Sequence, residues 1–374
     1  MADDQSGSPG RTLSARLPVF PWDRLTQATT VARSHVGGAV DLSVGTPVDP
    51  VPDVIQRALA DAANRPGYPA TIGTSELRSA ASEWMSRRLG VVAAADHVLP
   101  VLGSKELVAL LPTLLGLSST DLVVVPELAY PTYDIGARLV GAEVVAADSL
   151  VSLGPRRPSL LWLNSPSNPS GRVLPRQHMR KVVDWARERG CVVVSDECYI
   201  ELGWNEQPTS LLHPEVCGGS FDGLLAFHSL SKRSNLAGYR AAFAVGDARL
   251  IAELVAVRKH MGMMMPGPIQ AAMAVALADD DHVLVQRQRY SARRDQLIAA
   301  VTQAGFRIDD SVAGLYLWAS RDEPCWESVD WFAQRGVVVA PGDFYGTAGG
   351  RHVRIALTAT DDDVVTAVRR ITGI

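Results

Sequence analysis

Between Phe227 and Gly246 the chain reads Phe-His-Ser-Leu-Ser-Lys-Arg-Ser-Asn-Leu-Ala-Gly-Tyr-Arg-Ala-Ala-Phe-Ala-Val-Gly. Ser229, Ser231, Lys232 and Arg240 fall together there. Serine hydroxyls and an arginine guanidinium bind phosphate oxygens well. A lysine amine among other cations, partly stripped of water, loses part of its hold on its proton and can attack a carbonyl to form a Schiff base. Lys232 is thus the candidate reactive group. A solvated loop lysine is the plain alternative.

The elements that must hold these residues are legible around them. Leu224–Phe227 and Ala241–Val245 are apolar runs of strand length without a helical period. Other apolar runs also end in polar chemistry: Asp121–Pro126 before Tyr130, Leu160–Leu163 before Asn168, and Cys191–Val194 before Asp196. Val101-Leu102 passes through Gly103 into a helix for which Ser104 is a good N-cap. The amides of Ser104 and Lys105 would then form an anion site at the helix start. Asp53–Asn64, Ser75–Leu89 and Pro175–Arg189 carry helical apolar stripes. Strands alternating with helices predict an α/β fold: an open, mostly parallel sheet between helices. In such sheets ligands bind outside the carboxyl ends of the strands, where Asn168, Asp196 and Ser229 fall.

Ser229-x-x-Lys232 also matches the nucleophile motif of serine β-lactamases and penicillin-binding proteins. The companion S-D-N and K-T-G elements are missing, since Ser195-Asp196 is followed by Glu197.

Ser-x-Ser-Lys followed by Gly238 and Arg240 resembles the cofactor-lysine signature of the class I/II aminotransferases, pyridoxal-phosphate enzymes of fold type I. Several segments between about residues 40 and 360 resemble that family in order: Gly45-Thr-Pro47, Tyr68 with Gly73 and Leu77-Arg78, Gly103-Ser-Lys105, Tyr130-Pro131, Asn168-Pro-Ser-Gly171, Asp196-Glu-Cys-Tyr199, and Arg354-Ile-Ala356. The resemblance implies that Lys232 carries pyridoxal 5'-phosphate and acts as base, then acid. It implies that Asp196 pairs with the pyridine nitrogen, that Asn168 and Tyr199 share the phenolic oxygen, and that Tyr130 stacks on the ring. Ser104, Ser229, Ser231 and Arg240, with the backbone of Gly103 and Lys105, would hold the phosphate. Tyr68 would be donated to a neighbouring subunit, making the active unit a homodimer with a shared site. Gly45 would lie over the substrate, with Asn168 beside it, and Arg354 would grip its carboxylate. Tyr133 reads as structural.

The motifs are most similar to those of actinobacterial succinyldiaminopimelate aminotransferases. The implied donor is glutamate and the implied acceptor N-succinyl-2-amino-6-oxopimelate, in lysine and diaminopimelate biosynthesis. Alternatives are another amino acid such as aspartate, or a pyridoxal-phosphate C–S lyase with the same lysine and phosphate cup. A ligand-sensing regulator would need an attached DNA-binding module, and the first 40 residues are not basic.

Composition agrees with an enzyme acting on small molecules. The 374 residues carry 36 Lys and Arg against 40 Asp and Glu, a net charge of −4, which gives no electrostatic case for nucleic acid or an anionic membrane. No apolar run approaches a membrane span, and no metal site is expected. Cys191, Cys198, Cys217 and Cys325 form no C-x-x-C pair and read as free thiols in a reducing, cytoplasmic compartment. The expected organisation is a flexible tail at 1–12, a segment at 13–44 packing on a small domain, a large cofactor domain at 45–268, and a small α+β domain at 269–374.

Overall fold

The computed structural model describes residues 12–373. Most of the expected tail, residues 1–11, lies outside them. In chain order the strands are β1 (Val40–Asp41), β2 (Val98–Leu102), β3 (Leu122–Val125), β4 (Glu143–Ala146), β5 (Leu160–Asn164), β6 (Val192–Asp196), β7 (Leu224–Ser229), β8 (Ala241–Gly246), β9 (Arg307–Asp309), β10 (Tyr316–Ser320), β11 (Val337–Val338), β12 (Ala340–Pro341) and β13 (Val353–Ala356).

Seven of them form one sheet in the order β2-β8-β7-β6-β5-β3-β4. All neighbouring pairs are parallel except those of β8, which runs against both β2 and β7. The strands inside the sheet are apolar on both faces, as a sheet between helices requires, while the edge strand β4 is partly exposed. Alternation then divides them. Leu161, Leu163, Val193 and Phe243 enter one core cluster; Leu160, Trp162, Val194 and Ala242 enter the other. A third cluster lies around the antiparallel sheet β12-β13-β10-β9 and takes in Leu25, Ala28, Ala32 and Leu42 from the N-terminal segment.

Local rules account for the helix ends. Helix Ser75–Leu89 starts where the Thr74 hydroxyl accepts from the Leu77 amide and stops at Gly90, whose φ of 66° is open to glycine. Helix Ala248–Met261 is capped by Asp247, as its sequence predicts. Near the N-terminus a 3-10 turn, Pro21–Leu25, precedes helix Thr26–Arg33. Strand β1 is only two residues long, paired with β11, and leaves Gly45 in irregular backbone. Ser104 is not the cap of its helix. Gly103 takes that place with φ 85°, and Ser104 is the first residue of helix Ser104–Leu114. Helix Gly267–Ala278 packs against helices Asp53–Asp61 and Ser75–Leu89, so its buried face, including Met273 and Leu277, joins the first core of the large sheet.

Candidate active site

The register of the large sheet brings its polar strand ends to one edge. Asn164 of β5 lies opposite Asp196 of β6, and Asp196 opposite Phe227 of β7. Because β8 is antiparallel, it begins where β2 and β7 end: Ala241 lies opposite Leu102, and Ala242 opposite Ser229. Arg240, just before β8, therefore arrives beside Gly103 and Ser229.

These ends open on a cavity of about 460 Å³. Of the residues singled out in the sequence, its walls contain Gly45, Ser104, Lys105, Tyr130, Asn168, Asp196, Tyr199, Ser229, Ser231, Lys232, Arg240 and Arg354. Gly103 lies immediately behind. Its φ of 85° favours glycine, and a Cβ there would displace the Arg240 guanidinium. Tyr68 is not in this wall; it is 95% exposed.

Among the described residues lining the cavity, Asp196 is the one carboxylate, against Lys105, Lys232, Arg240 and Arg354. Burial pushes the Asp196 carboxyl up, opposed by hydrogen bonds from Cys198 and Tyr133. Burial pulls the half-buried Lys232 amine below its usual range. Lys105 is lowered in the same way, with Arg240 adding repulsion. Tyr130 is pushed up to about 12 by burial.

Arg354 of β13 is buried. Its Nη1 donates to Asn168 Oδ1 at 2.9 Å and its Nη2 to the Ser43 carbonyl at 2.6 Å. Among the described residues its Nε has no hydrogen-bond partner. Arg351, the other arginine of that segment, is exposed and bonds to the Asp322 carbonyl.

Four contributors escaped the sequence reading. Tyr133 is not merely structural, because its hydroxyl donates to Asp196 Oδ2 at 2.9 Å. Tyr316 carries the Arg354 guanidinium 3.9 Å from its ring centre, and its hydroxyl is 3.1 Å from that of Tyr199. Gly45 has this same ring against it, so a Cβ there would strike Tyr316. Trp22 and Phe20 reach the cavity from the N-terminal segment. A signal existed for the tyrosines. Both fall on buried faces of their elements, and a buried hydroxyl needs a partner. The partner itself could not be read from sequence.

On the far side of the strand ends lies a second buried group. Glu197, His228 and Arg233 are the chain neighbours of Asp196, Ser229 and Lys232. His228 Nε2 is 3.6 Å from Glu197 Oε2, and Arg233 pairs with Glu201 at 2.6 Å. Burial holds Glu197 up at about 7 and His228 down at about 3.

Four cations about one buried carboxylate suit a ligand bearing several negative charges and a protonated ring nitrogen. The donors fit pyridoxal phosphate: serine hydroxyls and Arg240 suit its phosphate, the lowered Lys232 amine its carbonyl, and the Asp196 carboxylate a protonated ring nitrogen. Comparison with known proteins agrees. Residues 38–371 match the family model of aminotransferase class I and II. A probable aminotransferase of Mycobacterium tuberculosis is 62% identical over 361 residues, covering 96% of this chain and 86% of that protein. The 4-dedimethylamino-4-oxo-anhydrotetracycline transaminase OxyQ of Streptomyces rimosus is 54% identical over 356 residues, 95% of this chain and 99% of its own. The solved structure of a probable N-succinyldiaminopimelate aminotransferase from Thermus thermophilus superposes with a TM-score of 0.85 at 27% identity, over 95% of this chain and 100% of that one. Family match, shared fold and site chemistry converge: the chain belongs to the class I and II aminotransferases, fold type I enzymes that depend on pyridoxal phosphate.

Proposed function

We propose that this aminotransferase takes its amino group from glutamate and passes it to N-succinyl-2-amino-6-oxopimelate. The observation that carries the site assignment is the joint placement of Lys232, Asp196 and Arg354 on one cavity wall. The substrate assignment rests on the motif resemblance and on similarity to the Thermus protein.

In this reading Arg240, Ser104, Ser229 and Ser231 hold the cofactor phosphate, helped by the backbone of Gly103 and Lys105. Asn168 and Tyr199 hold its phenolic oxygen, and the Tyr130 ring lies against the pyridine. Bound pyridoxal phosphate supplies an electron sink for the pair released when the substrate Cα–H bond breaks. Asp196 keeps a negative charge where the ring nitrogen would stand. Arg354 orients the substrate carboxylate; the contacts to Asn168, Ser43 and Tyr316 fix its plane. The Lys232 amine takes the proton from substrate Cα and later returns one, a task that suits a lowered amine. A second copy of the chain would bring its exposed Tyr68 to the phosphate end, completing a shared site.

A second reading has its own support. A groove of about 700 Å³ opens beside the cavity and shares Phe20, Trp22, Lys105 and Tyr130 with it. Ile135, Phe344 and Ala129 make its floor apolar. With the similarity to the Streptomyces transaminase, this favours an acceptor with a bulky ring system.

The test is a half-reaction. Holoenzyme is mixed with single amines while the visible cofactor band is followed. Rapid loss with glutamate and N-succinyl-diaminopimelate, but not aspartate or aromatic amino acids, is expected. Loss with a polycyclic amine and none with the succinylated one moves the assignment to the second reading.

A further inference from the structure

Asp196 is the one acidic group among the described residues lining the cavity, and its carboxylate is held at both oxygens. Oδ1 accepts from the Cys198 amide at 3.2 Å, and Oδ2 from the Tyr133 hydroxyl at 2.9 Å. Tyr133 is fully buried in the first turn of helix Thr132–Val140. Its ring stacks on Trp162 of β5, centroids 4.8 Å apart and planes 19° from parallel. Tyr130 meets its edge at 5.9 Å. The ring is thereby clamped, and the hydroxyl has one place to point. A hydroxyl donor bonds a charged carboxylate more strongly than the neutral acid and so favours the charged form. Helix Thr132–Val140 thus reaches the far end of the site through a single bond.

We infer that Tyr133 is a positioning residue that keeps the Asp196 carboxylate ionised and aimed at the nitrogen end of the cavity. This rests on the reading of Asp196 as the partner of the cofactor's ring nitrogen. Tyr133 acts through Asp196 and needs no contact with substrate.

The test removes the hydroxyl and keeps the ring. Tyr133→Phe should bind pyridoxal phosphate about tenfold more weakly or worse, the equivalent of one hydrogen bond to a charged group. With Asp196 more readily protonated, the ring nitrogen holds its charge less firmly. A less positive ring draws less electron density from the Lys232 nitrogen joined to the cofactor, so that nitrogen keeps its proton to higher pH and the midpoint of the visible band should move upward. Neither change is expected when Tyr133→Phe is introduced into Asp196→Asn, because the bond then has no charge to hold; this non-additivity separates positioning from general loosening. Unchanged affinity and midpoint in Tyr133→Phe would overturn the inference, as would an equal loss in the Asp196→Asn background. If the unsubstituted protein itself shows no visible band with pyridoxal phosphate, the underlying reading of the site fails instead.

Discussion

Lys232 is where the chemistry of this chain can be tested most directly. Replacing it by alanine removes the group that would move the Cα proton, a contribution of about 10²–10⁴ in rate for a general base alone. Lys232→Ala is expected to abolish transamination with glutamate; near-normal turnover would sink the assignment. The pair behind the site gives a pH test. Glu197 titrates near 7 in the fold against an ordinary 4.5, so its stabilisation is full below 4.5 and is lost as pH rises to 7. His228 titrates near 3 against an ordinary 6.5, so its stabilisation is full above 6.5 and is lost as pH falls toward 3. Between 4.5 and 6.5 the two slopes oppose, each at most about 1.4 kcal/mol per pH unit. Glu197→Gln should expose the histidine slope, with Tm rising with pH up to 6.5. His228→Gln should expose the reverse, with Tm falling between 4.5 and 7. Identical Tm–pH profiles in the parent and both variants would refute this pairing. Neither partner was identifiable in sequence as one of a pair, because 3.6 Å across two strands is a fact of register.

Elements were far more readable than partners. Helix Ser75–Leu89 follows from its cap, its stripe and its terminal glycine, and the Val-Val-Val run into Asp196 could hardly be anything but a buried strand. What failed was detail decided by tertiary contact. Ser104 has the right chemistry for a cap, yet the chain needs a positive φ one residue earlier to turn from β2 beneath Arg240, and only glycine supplies it cheaply. Gly45, expected over the substrate, does line the cavity, but the Tyr316 ring packed against it was not legible. The turn at Gly103 carries its own prediction. Gly103→Ala forces a strained backbone worth about 1–3 kcal/mol and drives a methyl into the guanidinium. It should lower Tm and weaken pyridoxal phosphate binding together, read by calorimetry and by cofactor titration. A variant with normal cofactor affinity would show that Arg240 does not depend on this turn.

At the scale of the molecule, the sequence pattern predicted the mostly parallel sheet because buried parallel strands announce themselves as continuous apolar runs. Subunit arrangement has no such signature. Tyr68 stands clear of its own cavity, and in a dimer it would cross to the other. The expected outcome is a dimer by sedimentation, with Tyr68→Phe leaving that state intact while weakening cofactor binding. A monomeric, fully active holoenzyme would end the shared-site proposal.

The direction of β8 also bears on how the protein forms. Its pairing joins Val245 to Val98, and the same strand start delivers Arg240 to the end of β2. Pairings so distant along the chain carry a loop-closure cost and slow folding. The anion-holding end is complete only when both β7 and β2 are paired with β8, so a chain in which β8 is unpaired has no complete cofactor site. Pyridoxal phosphate would then act as a judge of finished molecules: it captures chains that have closed the sheet and offers nothing to those still on the way.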